Sequence, residues 1–113
     1  MAEKSREKKA ADREKFRRER ELNDIRRICG RAEGRRLIWR IFTRAHIYET
    51  TFTGEALAGS FKEGERNLGL FLLADLMEAA PERLMEMMKE ADAEAKKEAD
   101  PPKEELHADD TPE

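Results

Sequence analysis

From Glu3 to Glu21 the sequence carries one large apolar side chain, Phe16, and neither glycine nor proline. Such a segment has almost nothing to bury, yet its lysines, arginines, glutamates and alanines are good helix formers. It predicts a solvated, charged helix and confines any folded core to the rest of the chain. Opposite charges recur four residues apart, in Lys8 with Asp12, Glu14 with Arg18, Lys15 with Glu19 and Arg17 with Glu21. Each pair adds only about 0.2–0.5 kcal/mol, so the arm is expected to fray unless something docks on it.

The chain has 113 residues, 43% charged and 38% hydrophobic, which allows one small domain with long stretches left in water. Its net charge of −3 conceals an asymmetry. Residues 1 to 44 hold 16 basic and 8 acidic residues, a balance of +8, which leaves 7 basic and 18 acidic residues, or −11, to the remainder. That polarity suits an anionic partner for the front half, or head-to-tail contact between copies. The longest apolar run, Leu68 to Met77 with Gly69 and Asp75 inside it, is too short to span a bilayer. The charged N-terminus has no apolar stretch behind it and does not read as a signal peptide. One cysteine, Cys29, leaves no internal disulfide and fits a reducing compartment, so a cytoplasmic setting is expected.

Beyond the arm the pattern changes. Leu22, Ile25, Ile28 and Cys29 fall at helical spacing, so the last two turns of the first helix should touch a core, with Gly30 as its stop. A second helix is expected from about Ala32 to Ala45, with Leu37, Ile38, Ile41, Phe42 and Ala45 as its inner stripe. Residues 46 to 54 read as an ordered connection, because no second strand exists to pair with them. Thr53 can cap a helix starting near Gly54, while Ser60 to Glu63 matches a capping box that would start one at Ser60; a single helix from 55 is the alternative. The segment up to Ala79 is apolar nearly all round and is expected to be the most buried helix. Pro81 opens a last helix with Leu84, Met85 and Met88 inward. Past about Lys97, two prolines and many acids predict disorder.

The expectation is an all-α fold, a small bundle of three to four helices with a long charged N-terminal helix and a disordered acidic C-terminal tail. Residues 1–21 form the arm, 22–92 the helical core and 93–113 the helix end and tail. A core of about 70 residues is marginal alone, so self-association or a partner is expected.

Several strings inside that core carry a resemblance. They are Glu33-Gly34-Arg35-Arg36-Leu37-Ile38-Trp39, Phe52-Thr53-Gly54, and Phe61-Lys62-Glu63-Gly64-Glu65-Arg66-Asn67-Leu68-Gly69-Leu70, continuing more loosely through Ala80-Pro81-Glu82 and Met88. In order and spacing they resemble the Bbp-nineteen-like phage domain over about residues 22 to 92. Glu65 stands where family members often carry a second arginine. The resemblance implies a product of a tailed-phage genome, encoded among head and packaging genes and present in the host cytoplasm during assembly. It brings no catalytic residues with it.

No catalytic, cofactor or metal site assembles from the sequence. The histidines are His46 and His107 and the serines Ser5 and Ser60, too few and too scattered for a nucleophile, base and orienting group. Cys29 and His46 lack a third soft ligand. Gly64 and Gly69 lie within a helix and lack the lysine of a phosphate-cradling loop. No enzyme activity, cofactor, small-molecule substrate or membrane partner is expected.

What remains are candidate contacts. Arg35 and Arg36 can recognise phosphate or carboxylate, but pairing inside the fold, for example with Glu63 or Glu65, is the preferred reading. Arg66 and Asn67 interrupt the most apolar helix, as an interface hot spot or as a satisfied polar network. Gly64 and Gly69 suggest close helix contact, since glycine inside a helix costs about 1 kcal/mol. Trp39, Tyr48, Phe52 and Phe61 are expected to form one wall of the core, with Trp39 as a further interface candidate. Met87 lies off the inner stripe and is a candidate contact with another chain, against loose core filling. In the arm, Lys8, Lys9, Arg13, Arg17, Arg18 and Arg20 are candidate phosphate contacts, diluted by five acids among the first twenty residues and with no aromatic interleaving expected to stack bases.

The leading expectation is a non-enzymatic virion structural or assembly protein that contacts phage structural proteins, itself, or both. The alternatives are a DNA-packaging accessory binding DNA through the basic front half, and an inhibitor that modulates the host.

Overall fold

The computed structural model describes residues 2–49 and 55–99, and every regular element within them is a helix. In chain order these are α1 (Ala2–Cys29), α2 (Ala32–Ala45), α3 (Ala56–Ala79) and α4 (Glu82–Ala99). The molecule is elongated, measuring 76 × 40 × 27 Å, because α1 runs well past the bundle. Its residues 2–17 are all exposed. The ion pairs of the arm are spaced three apart, Arg17 with Glu14 and Arg18 with Glu21, and the four-apart pairs expected from the sequence do not form among the described residues.

Burial of α1 starts at Leu22, then Ile25 and Cys29 turn inward. Ile28, also expected to do so, faces outward. Gly34 lets α2 start close to α1, since a Cβ there would lie 1.8 Å from the Ile28 carbonyl oxygen.

α2 has the expected bounds but a different inner face. Arg35, Ile38, Phe42 and Ala45 are buried, whereas Leu37 and Ile41 face solvent. Its C-terminus closes on His46, held in the left-handed conformation at φ 55°. The His46 N–H donates to the Thr43 carbonyl and the Ile47 N–H to that of Phe42, a helix stop that drops Ile47 into the core. Residues 50–54, including Phe52 and the expected Thr53 cap, lie outside the described residues.

α3 is one continuous helix. The Gly59 N–H donates to the Glu55 carbonyl, so the helix is already running before Ser60, and the capping-box start there does not occur. Only part of α3 is the buried helix the sequence suggested. Gly69, Leu76 and Ala79 are buried, and a Cβ on Gly69 would lie 2.5 Å from that of Ala45 and 2.7 Å from Ile47 Cγ2, so α2 and α3 meet almost backbone to backbone. Leu57, Phe61, Leu68, Phe71 and Met77 are exposed.

Pro81 follows α3 as expected, and the Arg83 and Leu84 N–H groups donate to the Ala80 and Pro81 carbonyls. The inward residues of α4 are Met87, 1% exposed, and the half-buried Leu84; Met85 and Met88 point outward. The acidic tail falls outside the described residues from position 100 onward. The core joins Cys29, Ile38, Phe42, Ala45, Ile47, Leu76 and Met87, and Leu22 with Ala79 and Ala80 extends it at the α3–α4 turn. The Arg26 Nε–H also donates to the Ala79 carbonyl at 2.8 Å, satisfying an acceptor that the end of α3 leaves open.

Candidate interaction surfaces

Arg35 sits one turn into α2, and its guanidinium reaches α4. Nε and Nη2 donate to Glu90 at 3.0 and 2.8 Å, Nη1 donates to the Cys29 carbonyl at 3.0 Å, and Glu86 lies 3.4 Å from Nη2. These hydrogen bonds hold the Glu90 carboxyl below its ordinary range and raise the Arg35 guanidinium. The fork ties α1, α2 and α4 together and leaves Arg35 with little capacity for a ligand. For Arg35 the pairing is intramolecular, with its acids on α4, whereas Arg36 forms no ion pair among the described residues and Glu65 lies 3.8 Å from Arg44.

Beside this tie runs a groove of about 550 Å³ between α2 and α4. Half-buried Trp39 and buried Met87 line it, with Ala91 alongside and exposed Arg36 and Arg40 on its rim. Neither of those arginines forms an ion pair among the described residues. An apolar side chain next to a carboxylate suits such a groove. Met87 thus lines a groove from within the core and is no protruding contact for another chain. Tyr48 and Phe61 are exposed, so the expected aromatic wall reduces, among the described residues, to Trp39 edge-on to Phe42, with ring centroids 6.5 Å apart.

The arm residues divide by helical face. Arg18 turns inward and bonds Asp75 at 2.9 Å and Glu78 at 2.7 Å on α3, which raises its own guanidinium and removes it from the phosphate candidates. Arg17 is paired with Glu14, and Lys8 lies on a flank. Lys9, Arg13 and Arg20 share the face opposite Leu22, Ile25 and Cys29, and Arg6 and Arg27 join them by the same spacing. Phe16, 71% exposed, lies in the middle of that face. The sequence reading missed Arg6, Arg27 and the aromatic between the cations. Counting helical positions outward from Leu22 would have found them.

Arg66 and Asn67 do not act as a pair. Asn67 is exposed, and Arg66 is half-buried with its Nε shielded and without a hydrogen-bond partner. The larger omission is the first two-thirds of α3, where Leu57 is 86% exposed, Phe61 67%, Leu68 70% and Phe71 67%. Their spacing, with Gly64 between them, is four, three, four and three residues. That is the spacing of a helix–helix seam.

No helix among the described residues is long and apolar enough to cross a membrane, and no three His, Cys, Asp or Glu there group to hold a metal ion. The model of the Bbp19-like phage protein family matches residues 25–89. The chain belongs to that family. The match takes in the inward end of α1, all of α2 and α3, and α4 as far as Lys89. The exposed seam of α3 and Arg35 therefore lie inside the family segment, whereas the basic arm face lies almost wholly before it. Searches among curated proteins and solved structures give no match.

Proposed function

We propose that this phage protein is a non-enzymatic virion structural or assembly component that works in the host cytoplasm through protein–protein contacts. The observation that carries the reading is the α3 seam. A soluble monomer rarely leaves a contiguous apolar row of this size uncovered, and the core beneath it is small enough to gain from a partner. The bundle supplies a rigid platform and α1 a projecting arm. Quantitative mass spectrometry of purified, nuclease-treated particles tests this reading. A fixed copy number per particle, or specific recovery with a phage structural protein from infected cells, is the expected result. Absence from particles together with recovery on a bacterial protein alone would replace it with host modulation.

A second reading has its own observation, the face of α1 bearing Arg6, Lys9, Arg13, Arg20 and Arg27 around Phe16. Aligned cations neutralise successive phosphates, and an exposed aromatic can stack on a base. It predicts DNA binding that weakens steeply with salt and is lost when Arg13 and Arg20 become glutamate. No binding at low salt would remove it.

A further inference from the structure

Of the glycines inside α3, Gly64 and Gly69 have opposite surroundings, and of these two only Gly69 has a visible reason within the chain. Gly69 lies against Ala45 and Ile47 with no room for a Cβ. Around Gly64 nothing lies within 4 Å of where a Cβ would stand, so the helix bears the cost of a glycine, about 1 kcal/mol, for no internal contact. Gly64 is also the midpoint of the exposed row Leu57, Phe61, Leu68 and Phe71. A flat spot between large apolar side chains is a hole for a knob on another helix.

We propose that the knob is Phe61 of a second copy, and that α3 pairs antiparallel with α3 of that copy about a two-fold axis. The sequence of the seam selects this arrangement. In an antiparallel pair the register that seats Phe61 over the partner's Gly64 also sets Leu57 against the partner's Leu68, because both pairs share one centre between residues 62 and 63. The surface is then self-complementary, as a two-fold interface requires. A parallel pair would stack Phe61 on Phe61 and leave Gly64 facing Gly64, one crowded layer beside one empty one.

Charge does not oppose the approach. Ala58, Ser60 and Asn67 flank the seam without charge, and Glu65 has Arg44 nearby within its own chain. The area is that of a weak, concentration-dependent pair. Leu57, Phe61 and Leu68 of each copy, six side chains with on the order of 100–150 Å² each to lose, give about 600–900 Å², below the roughly 1,200 Å² of a standard specific interface.

The inference rests on the reading of this protein as one that acts through protein contacts, and names the partner on α3. Sedimentation equilibrium on the full chain over a wide concentration range tests it, with helicity followed by circular dichroism. The wild-type chain should dimerise as its concentration rises, and Phe61→Asp should weaken association by roughly tenfold or more while helicity is kept. Gly64→Leu is the second variant. It touches nothing within the monomer, yet fills the hole and should weaken the dimer comparably. Register is read by mixing Leu57→Cys and Leu68→Cys chains, each also carrying Cys29→Ser, under oxidation. The mixed disulfide is expected, because like positions lie about 16 Å apart along the pair. A wild-type monomer at every concentration, a dimer indifferent to both variants, or disulfides between like positions would overturn the proposal. A monomer whose entry into particles depends on Phe61 would overturn self-pairing and leave the protein-contact reading standing. A monomer absent from particles would remove both.

Discussion

Arg35 and Glu90 are joined across the α2–α4 interface by a two-pronged ion pair with Nε and Nη2 as donors, and the third arm of the same guanidinium holds the last carbonyl of α1. The Arg35 side chain is 10% exposed and that of Glu90 39%. The pair is shielded on one side only, and the two partners are not equivalent when removed.

Arg35→Ala is expected to cost about 2–3 kcal/mol in urea unfolding, since it strips donors from Glu90 and from a buried carbonyl at once. Arg35→Lys should recover less than half of that, because an ammonium cannot reproduce the fork. Glu90→Ala should cost less than Arg35→Ala, its site being partly open to water. Equal effects of the two alanine variants would mean that the Cys29 carbonyl contributes nothing.

The same pair has a pH signature. Arg35 favours ionised Glu90, so the carboxyl lies lower in the folded chain than in the unfolded one. Its contribution is fully present above the unfolded value of about 4.3 and is lost as pH falls through the depressed folded value. The stability difference between wild type and Glu90→Gln should therefore be constant near neutral pH and shrink below about pH 4.3. Thermal unfolding of both proteins across that range measures it; a difference that grows on acidification would contradict the assignment.

The helices were legible in this sequence and their faces were not. Gly30 and the stripe from Ile38 to Ala45 mark α2 to the residue, because stops and periodicity are local. Which side of α2 is buried is a non-local matter. Leu37 and Ile41 satisfy the spacing as well as Ile38 and Phe42 do, and the choice is made by Gly69 under Ala45 and by Glu90 drawing Arg35 inward. α4 repeats the ambiguity, with Met87 buried while Met85 and Met88 are exposed. On α3 the apolar run reads as all-round burial, yet the side bearing Phe61 and Leu68 meets no other helix. Ser60 mimics a helix start because its local signal is sound, but the helix reaches it already formed.

Gly64 and Gly69 of α3 should respond in opposite senses. In a Phe61→Asp background, which removes the seam contact, Gly64→Ala gains helix propensity and should raise stability by up to about 1 kcal/mol. Gly69→Ala forces Ala45 and Ile47 away and should lower it by about 1–3 kcal/mol. Denaturant midpoints compare the two directly, and a stabilising Gly69→Ala would mean that α2 and α3 are not in close contact.

Cys29 is 0% exposed, and burial pushes its thiol pKa up. Since the thiolate is the reacting form, the native protein should resist a thiol reagent near pH 8 and react only as fast as the core opens. Arg35→Ala, by loosening the α1–α2–α4 junction, should speed that reaction. Rapid labelling of the folded wild-type chain would place Cys29 at the surface.

The arm should be separable from the fold. Every residue from 2 to 17 is exposed, and the contact next along the helix is Arg18, whose half-exposed guanidinium meets the half-buried Asp75 and the exposed Glu78. Deleting residues 2–17 should leave the melting temperature within about 2 °C of wild type. Arg18→Ala should leave the global transition in place while amide exchange accelerates across the arm, because the latch to α3 is gone and a charged helix without packing frays. Moderate salt should reproduce part of that acceleration in the wild-type chain by screening the same charges. If deletion lowers the melting temperature substantially, residues 2–17 support the core through contacts other than the Arg18 latch.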